Sequence, residues 1–279
     1  MIPAFVTTWQ NLPYQINPVA FSIGSLTLLW YSIMYISGLL VAFLAFIFLT
    51  KKEGENQLES EASNFFNIIV LGIIIGSRLG YVIFYQPAYY FSHPLEIFLP
   101  FQNGQFSGIS GLSYHGGLIG YILSVVLIGK IYTIKLTKLL NMLAIPAALG
   151  YTLGRIGNFL NLELYGRPTT AWIGMYFPTD PIHVLRFPSQ LFEAFGEGIL
   201  IVFILLALKK NPKTKHFLAP AYLILYGIIR FIIEFYREPD SFQNLLFGLF
   251  SYGQVLCGAM ILSGIGFIFI FKKSLIDES

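Results

Sequence analysis

Arg155, Asn158, Asn161 and Glu163 lie within the stretch G-R-I-G-N-F-L-N-L-E-L-Y-G-R, Gly154 to Arg167, at the end of a long apolar run. A spacing of three places Arg155, Asn158 and Asn161 on one helical face. An arginine at mid-span costs roughly 2.5–3.5 kcal/mol on insertion scales, so a membrane chain keeps such groups where they hold something. The guanidinium fork grips phosphate or carboxylate through two parallel bonds. A second set, Tyr226, Arg230, Glu234 and Arg237, recurs at spacings of four, four and three and forms one stripe. Two arginines in a shared polar cavity imply an anionic ligand, and at that depth a bilayer offers phospholipid head groups.

Other groups invite chemistry less directly. His115, in G-L-S-Y-H-G-G-L-I-G-Y, opens an apolar run; an unperturbed imidazole titrates near pH 6.5 and can accept a proton at neutral pH. It can equally cap a helix or hydrogen-bond at the interface. Gly116, Gly117 and Gly120 behind it allow close backbone approach, as do Gly150, Gly154 and Gly157 beside Arg155. Glu163 can neutralise Arg155 or Arg167. Tyr31, Arg78, Ser189, Gln190, Glu193 and Gln254 sit in or at the ends of apolar runs. Each is open to ordinary interhelical hydrogen bonding. Cys257 is the single cysteine; it excludes internal disulfides and a multi-cysteine metal site and reads as a small buried hydrophobe.

The elements that must position these groups are membrane helices. The chain is 56% hydrophobic and only 11% charged, outside the range of soluble domains. Runs of about 20 apolar residues predict seven spans, at 23–49, 65–85, 115–134, 139–160, 190–208, 217–235 and 252–271. The expected fold is an all-α polytopic bundle forming a single integral membrane domain over 1–279. An outer interfacial arm occupies 1–22, and outer loops occupy 86–114, 162–189 and 236–251. All eleven lysines fall at the ends of alternate spans, so the positive-inside rule puts those loops and the C-terminus in the cytoplasm and the N-terminus outside. The first residues lack a basic n-region and a small-residue cleavage site, so no signal peptide is expected. The net charge of +3 comes mostly from these lysines and suggests no nucleic-acid partner. Arginine, by contrast, lies in the spans or on the outer side.

The signature G-R-I-G-N-F-L-N-L-E-L-Y-G-R, with S-Y-H-G-G-L-I-G before it, resembles the bacterial phosphatidylglycerol–prolipoprotein diacylglyceryl transferase family. W-Y near the start, G-S-R-L-G-Y-V-I-F-Y, P-S-Q-L-F-E and Y-G-I-I-R-F-I-I-E-F-Y-R-E-P-D extend the likeness in order from about Phe21 to Gln254. The resemblance implies a multi-pass enzyme of the bacterial cytoplasmic (inner) membrane that acts in lipoprotein biosynthesis. It would move the diacylglyceryl group of phosphatidylglycerol onto the lipobox cysteine thiol of a prolipoprotein signal peptide. A thioether forms and glycerol 1-phosphate leaves, with no metal or organic cofactor. By position, Arg155 and Arg230 would hold the phosphate and His115 would take the thiol proton, although a carboxylate or a lipid phosphate oxygen could also serve. Tyr31, Asn158, Asn161, Glu163 and Gly166 would position head group or peptide. Tyr226 and Glu234 would orient Arg230, while Arg78 binds substrate or is structural.

The chain departs from the family pattern at Leu162, where glycine is common, and at Phe187, where histidine often precedes P-S-Q. The loop between Arg167 and Arg186 is also short. Two other classes compete. A transferase using a nucleotide-activated alcohol needs metal-binding aspartates at helical spacing, and Asp180, Asp240 and Asp277 all lie outside the spans. A membrane transporter or lipid flippase with a polar path is favoured by inverted repeats or paired broken helices, and neither is evident.

Overall fold

In the computed structural model the described residues are 4–24, 26–99, 101–102, 105–106, 111–238 and 251–276. Among the described residues seven apolar helices carry the architecture: α1 (Trp30–Glu53), α2 (Ala62–Phe84), α3 (Tyr114–Ile131), α4 (Leu136–Leu160), α5 (Ser189–Lys210), α6 (Leu218–Ile233) and α7 (Tyr252–Ile276). Five of them, α1, α2, α4, α5 and α7, are long and apolar enough to cross a membrane. The 24 residues of α1 reach about 36 Å at 1.5 Å per residue, beyond the ~30 Å hydrocarbon core. The two shorter apolar helices, α3 and α6, coincide with the third and sixth predicted spans. Apolar side chains such as Phe48, Leu71, Ile83 and Phe203 point outward, as lipid-facing surfaces require.

The chain divides into two units, Met1–Leu49 with Asn141–Ser279, and Thr50–Leu140. In the larger unit, Leu49, Ala144, Ile145, Ala148, Ile201, Leu205 and Leu218 form a buried core between α1, α4, α5 and α6. Asn141 fixes the start of α6: its Oδ1 accepts from Leu218 N at 2.6 Å and from Ala219 N at 3.3 Å. These are orphan amides that a local N-cap residue would normally satisfy. The glycine face of α4 is used in part. Gly150 lies against the Gly38 carbonyl and Gly157 against Met34 and Tyr31, whereas Gly154 meets nothing within 4 Å.

In the smaller unit, α2 and α3 cross at Gly72, Gly76 and Gly80 on one side and Gly116 and Gly120 on the other. A Cβ at any of these would overlap the opposing backbone or, at Gly72, the Ser124 side chain. Removing side chains on both faces permits the approach that packing in lipid depends on.

One boundary differs clearly from the sequence expectation. The first predicted span starts at 23, but Val19–Ile23 (β1) pairs antiparallel with Leu26–Leu29 (β2), and α1 begins at Trp30. Gly24 at φ +60° turns the chain there, and hydropathy alone does not separate an apolar hairpin from a helix start. The other short pairs are Phe101–Gln102 (β3) with Gln105–Phe106 (β4) and Met175–Tyr176 (β5) with Leu185–Arg186 (β6). In α5, residues Ala194–Leu200 form a π-helical turn, a local irregularity frequent at functional sites. The N-terminal arm lies on the loop that follows α4: Trp9 Nε1 donates to the Ile173 carbonyl at 2.9 Å. Trp9, Leu12 and Ile16 cover a small core of Phe159, Leu162, Met175 and Phe177. Most of the predicted loop 236–251 lies outside the described residues.

Candidate active site

The C-terminal half of α4 brings Tyr151, Arg155 and Asn158 to one face, each about one turn from the next. Arg155 Nε donates to the Tyr151 hydroxyl at 2.8 Å, and Nη1 lies 3.4 Å from Asn158 Oδ1. Asn158 Nδ2 then donates to Glu163 Oε1 at 2.9 Å. Glu163 is therefore bound to Asn158, rather than to Arg167, and reaches Arg155 through it. The helix ends at Leu160, so Asn161 occupies the following turn. Its amide still donates to the Gly157 carbonyl at 2.9 Å. Tyr31, half-buried on α1, lies within electrostatic range of Arg155 and Glu163.

The predicted stripe on α6 faces α5. Arg230 Nη1 is 2.7 Å from Glu193 Oε1 and 3.4 Å from Glu197 Oε1, and Nη2 is 3.3 Å from Glu234 Oε2. Arg237 approaches Glu193 at 3.7 Å and Glu234 at 4.0 Å. Ser251 Oγ donates to Glu234 Oε1 at 3.1 Å. The other oxygen of Glu193 lies 2.9 Å from Arg155 Nε. One carboxylate, 1% exposed, thus stands between two arginines of different helices. Tyr151 also donates to Glu197, and its ring meets Tyr226 edge-on at 5.6 Å.

Glu193 Oε2 and Glu234 Oε2 are buried at ion-pair distance from arginines without an aligned N–H. Gln190 Oε1 is likewise buried with no donor among the described residues, while its Nε2 donates to the Glu163 carbonyl at 2.6 Å. Such groups are costly in low dielectric.

Gly166 has a backbone task. It bridges Arg237, its amide donates to Phe187 O at 2.7 Å, and Arg167 N donates to Tyr236 O at 2.9 Å. A Cβ on Gly166 would overlap Tyr236 O and press on Phe187. Phe187 packs edge-on against Tyr236 at 5.1 Å. Outside the spans, Asp180 and Arg186 form a buried two-bonded pair, 2.9 Å at each contact. Burial alone would push the Asp180 carboxyl up, but bonds from Arg186 and the amides of Val184 and Ile182 outweigh it and hold it below the ordinary range. Arg186 also reaches Glu238 at 3.0 Å, so the clasp ties this loop to the end of α6.

Arg78 and His115 belong to the smaller unit. Arg78 is 3% exposed and donates to the carbonyls of Ile97 at 2.5 Å, Glu96 at 2.8 Å and Gly111 at 3.2 Å, and to the Tyr90 hydroxyl at 3.2 Å. His115 is exposed in the first turn of α3, where the N-cap is Ser113, whose hydroxyl accepts from Gly116 N at 3.3 Å. The histidine is not the helix cap.

Glu193, Glu197 and Tyr151 carry the centre of the site; from the sequence, Glu193 is named only as one of several polar groups at span ends, and Glu197 and Tyr151 are not named. A signal was present: two glutamates four apart inside an apolar run. Among the described residues no group of three or more His, Cys, Asp and Glu could hold a metal ion.

Long apolar helices around a buried arginine–glutamate cluster define a membrane protein with a polar site inside its helix bundle. A prolipoprotein diacylglyceryl transferase family model matches residues 18–270. The chain is 44% identical to the phosphatidylglycerol–prolipoprotein diacylglyceryl transferase of Chlorobaculum tepidum, over 96% of this chain and 94% of the relative. It is 40% identical to that of Campylobacter curvus, over 97% and 100%, and 39% identical to that of Helicobacter pylori, over 96% and 97%. The chain belongs to the prolipoprotein diacylglyceryl transferase family.

Proposed function

We propose that this chain transfers the diacylglyceryl group of phosphatidylglycerol to the lipobox cysteine thiol of prolipoproteins, in the bacterial cytoplasmic membrane. Relatives at 38–44% identity carry that activity in their names. The supporting observation is the single buried carboxylate of Glu193 between Arg155 and Arg230. It brings two guanidinium groups of different helices onto one carboxylate, the charge pair that would hold one phosphate.

The cysteine sulfur forms a C–S bond at the terminal glyceryl carbon while that carbon's bond to the phosphate oxygen breaks. The electron pair leaves with glycerol 1-phosphate, and Arg155 and Arg230 stabilise the charge gathering on the departing phosphate. His115 takes the thiol proton; free cysteine has a pKa of about 8.5, so only a few per cent is thiolate at neutral pH. Tyr31, Asn158, Asn161 and Glu163 position head group and peptide. Tyr226 and Glu234 orient Arg230, and Gly166 orients Arg237. Arg78 acts by holding the segment before α3, which sets the start of the helix carrying His115. The whole chain works as one membrane domain of seven spans, with the lysine-bearing loops and C-terminus cytoplasmic and the N-terminus outside.

The test is purified protein with head-group-labelled phosphatidylglycerol and a synthetic lipobox peptide. Thioether product and labelled glycerol phosphate are expected in equal amounts, with neither formed when serine replaces the acceptor cysteine. Phosphatidylglycerol binding without transfer to any cysteine peptide contradicts the proposal and leaves a lipid-moving role.

A further inference from the structure

The turn that follows the end of α4 at Leu160 is built against local backbone preference. Leu162 and Leu164 both stand at φ +58°, in the left-handed region that leucine rarely adopts, with Glu163 between them. The three successive carbonyls of Leu162, Glu163 and Leu164 each accept from a side chain further along the chain. Thr179 Oγ1 donates to Leu162 O at 2.5 Å, Gln190 Nε2 to Glu163 O at 2.6 Å, and Ser189 Oγ to Leu164 O at 3.0 Å. Carbonyls at a helix end lose their ladder partners, and tertiary contacts replace them here. A serine at a helix start ordinarily caps its own helix. Ser189 instead directs its hydroxyl to Leu164, and Pro188 occupies the cap position with no side-chain bond.

Ser189 and Gln190 are both 0% exposed. Gln190 Oε1 is buried with no donor among the described residues. The amide cannot turn over to relieve it, because the Glu163 carbonyl only accepts and so requires Nε2. An apolar side chain of the same length would remove that orphan, so stability alone does not favour glutamine at this position. What the amide secures is the backbone of Glu163, whose Oε1 accepts from Asn158 Nδ2 at 2.9 Å. Three residues further along α5, Glu193 holds Arg155 and Arg230. The start of one helix therefore fixes both the arginines and the carboxylate-bearing turn beside them.

We infer that Ser189 and Gln190 are positioning residues for Glu163, an inference that rests on the function proposed above. By holding two carbonyls of the strained turn, they keep the Glu163 carboxylate on Asn158, which lies 3.4 Å from Arg155. Without them the turn relaxes toward ordinary backbone angles and carries the carboxylate away from the site.

Gln190→Met keeps the side-chain length and removes both the donor and the orphan acceptor. With phosphatidylglycerol and a lipobox peptide, kcat/KM is expected to fall about tenfold or more, since a misplacement of about 1 Å can cost about a hundredfold. The melting temperature in detergent should change little. Ser189→Ala is expected to give a smaller loss of the same kind, and it carries the test if the methionine variant does not fold. Both changes are then repeated in a Glu163→Ala background. A residue that acts only through the Glu163 carboxylate lowers the rate no further there, whereas a general structural defect lowers it by the same factor again. Equal losses in the two backgrounds, or wild-type kinetics in both single variants, overturn the inference. A crystal structure of Gln190→Met gives a readout independent of turnover. Glu163 Oε1 is expected beyond hydrogen-bond distance of Asn158 Nδ2, and a carboxylate still at 2.9 Å overturns the inference. If wild type transfers nothing yet the carboxylate moves in the variant, the proposed function fails and the positioning of Glu163 stands.

Discussion

Arg230 Nη1 lies 2.7 Å from Glu193 Oε1, both side chains nearly sequestered from solvent, the two residues 37 apart in the chain and on different helices. The second oxygen of Glu193 faces Arg155. The site is thus built around a shared counter-charge. Each arginine is held in place before any ligand arrives, which is what electrostatic preorganisation requires.

Removing that counter-charge leaves buried guanidinium groups uncompensated. Glu193→Ala is expected to cost about 3–5 kcal/mol, the usual penalty for breaking a buried pair, and to abolish transfer. Glu193→Gln keeps shape and one acceptor, so it should lose less stability. Thermal unfolding in detergent, read beside transfer rates, checks the order.

Gly166→Ala places a methyl group against the Tyr236 carbonyl and Phe187. Overpacking of this kind costs typically 1–3 kcal/mol, and here it pushes apart the backbones that carry Arg237. Loss of activity larger than the loss of thermal stability implies is the expected signature; unaltered transfer would show that this backbone contact does not matter.

Leu162 adopts φ +58° yet is 3% exposed, within the core of Phe159, Met175 and Phe177. The left-handed backbone costs a leucine roughly 1–2 kcal/mol, while burial returns about 1.5–3 kcal/mol, so burial wins. Leu162→Ala keeps the strain and loses the contact, at about 2–5 kcal/mol. Leu162→Gly also loses the contact but relieves the strain. The expected melting order is wild type, then glycine, then alanine, the reverse of the usual ranking of those two.

The folded Asp180 carboxyl titrates below its ordinary value of 3.8. The unfolded chain therefore binds the proton more readily. The stabilisation is fully present above about 3.8 and is lost as pH falls toward the lowered folded value. Unfolding measured from pH 6 down to pH 3 should show a decline in wild type that Asp180→Asn lacks, with the variant already less stable at pH 7. Parallel curves for the two would contradict the assignment.

Much of this arrangement is legible in the chain. Apolar run lengths locate the five helices long enough to cross a membrane and the two shorter apolar ones, and spacing alone groups Arg155 with Asn158 and Tyr226 with Arg230 and Glu234. The pairing of Glu193 with two arginines is tertiary, and no local period encodes it. Glu193 and Glu197 could be noted only as an expensive pair in an apolar run. In the sequence Leu162 stands out only because the resemblance leads to an expectation of glycine there, and the positive backbone angle supplies the physical reason glycine would suit that position. The hairpin before Trp30 escaped because hydropathy measures burial in lipid and not hydrogen-bond pattern.

Arg155→Lys tests the central claim most directly. Lysine keeps the charge but cannot reach Tyr151, Asn158, Glu193 and a phosphate together. With labelled phosphatidylglycerol and a lipobox peptide, kcat/KM for thioether formation is expected to fall by about a hundredfold or more, as when one preorganised donor to a developing anion is lost. A lysine variant that forms thioether at the wild-type rate would contradict the two-arginine phosphate site.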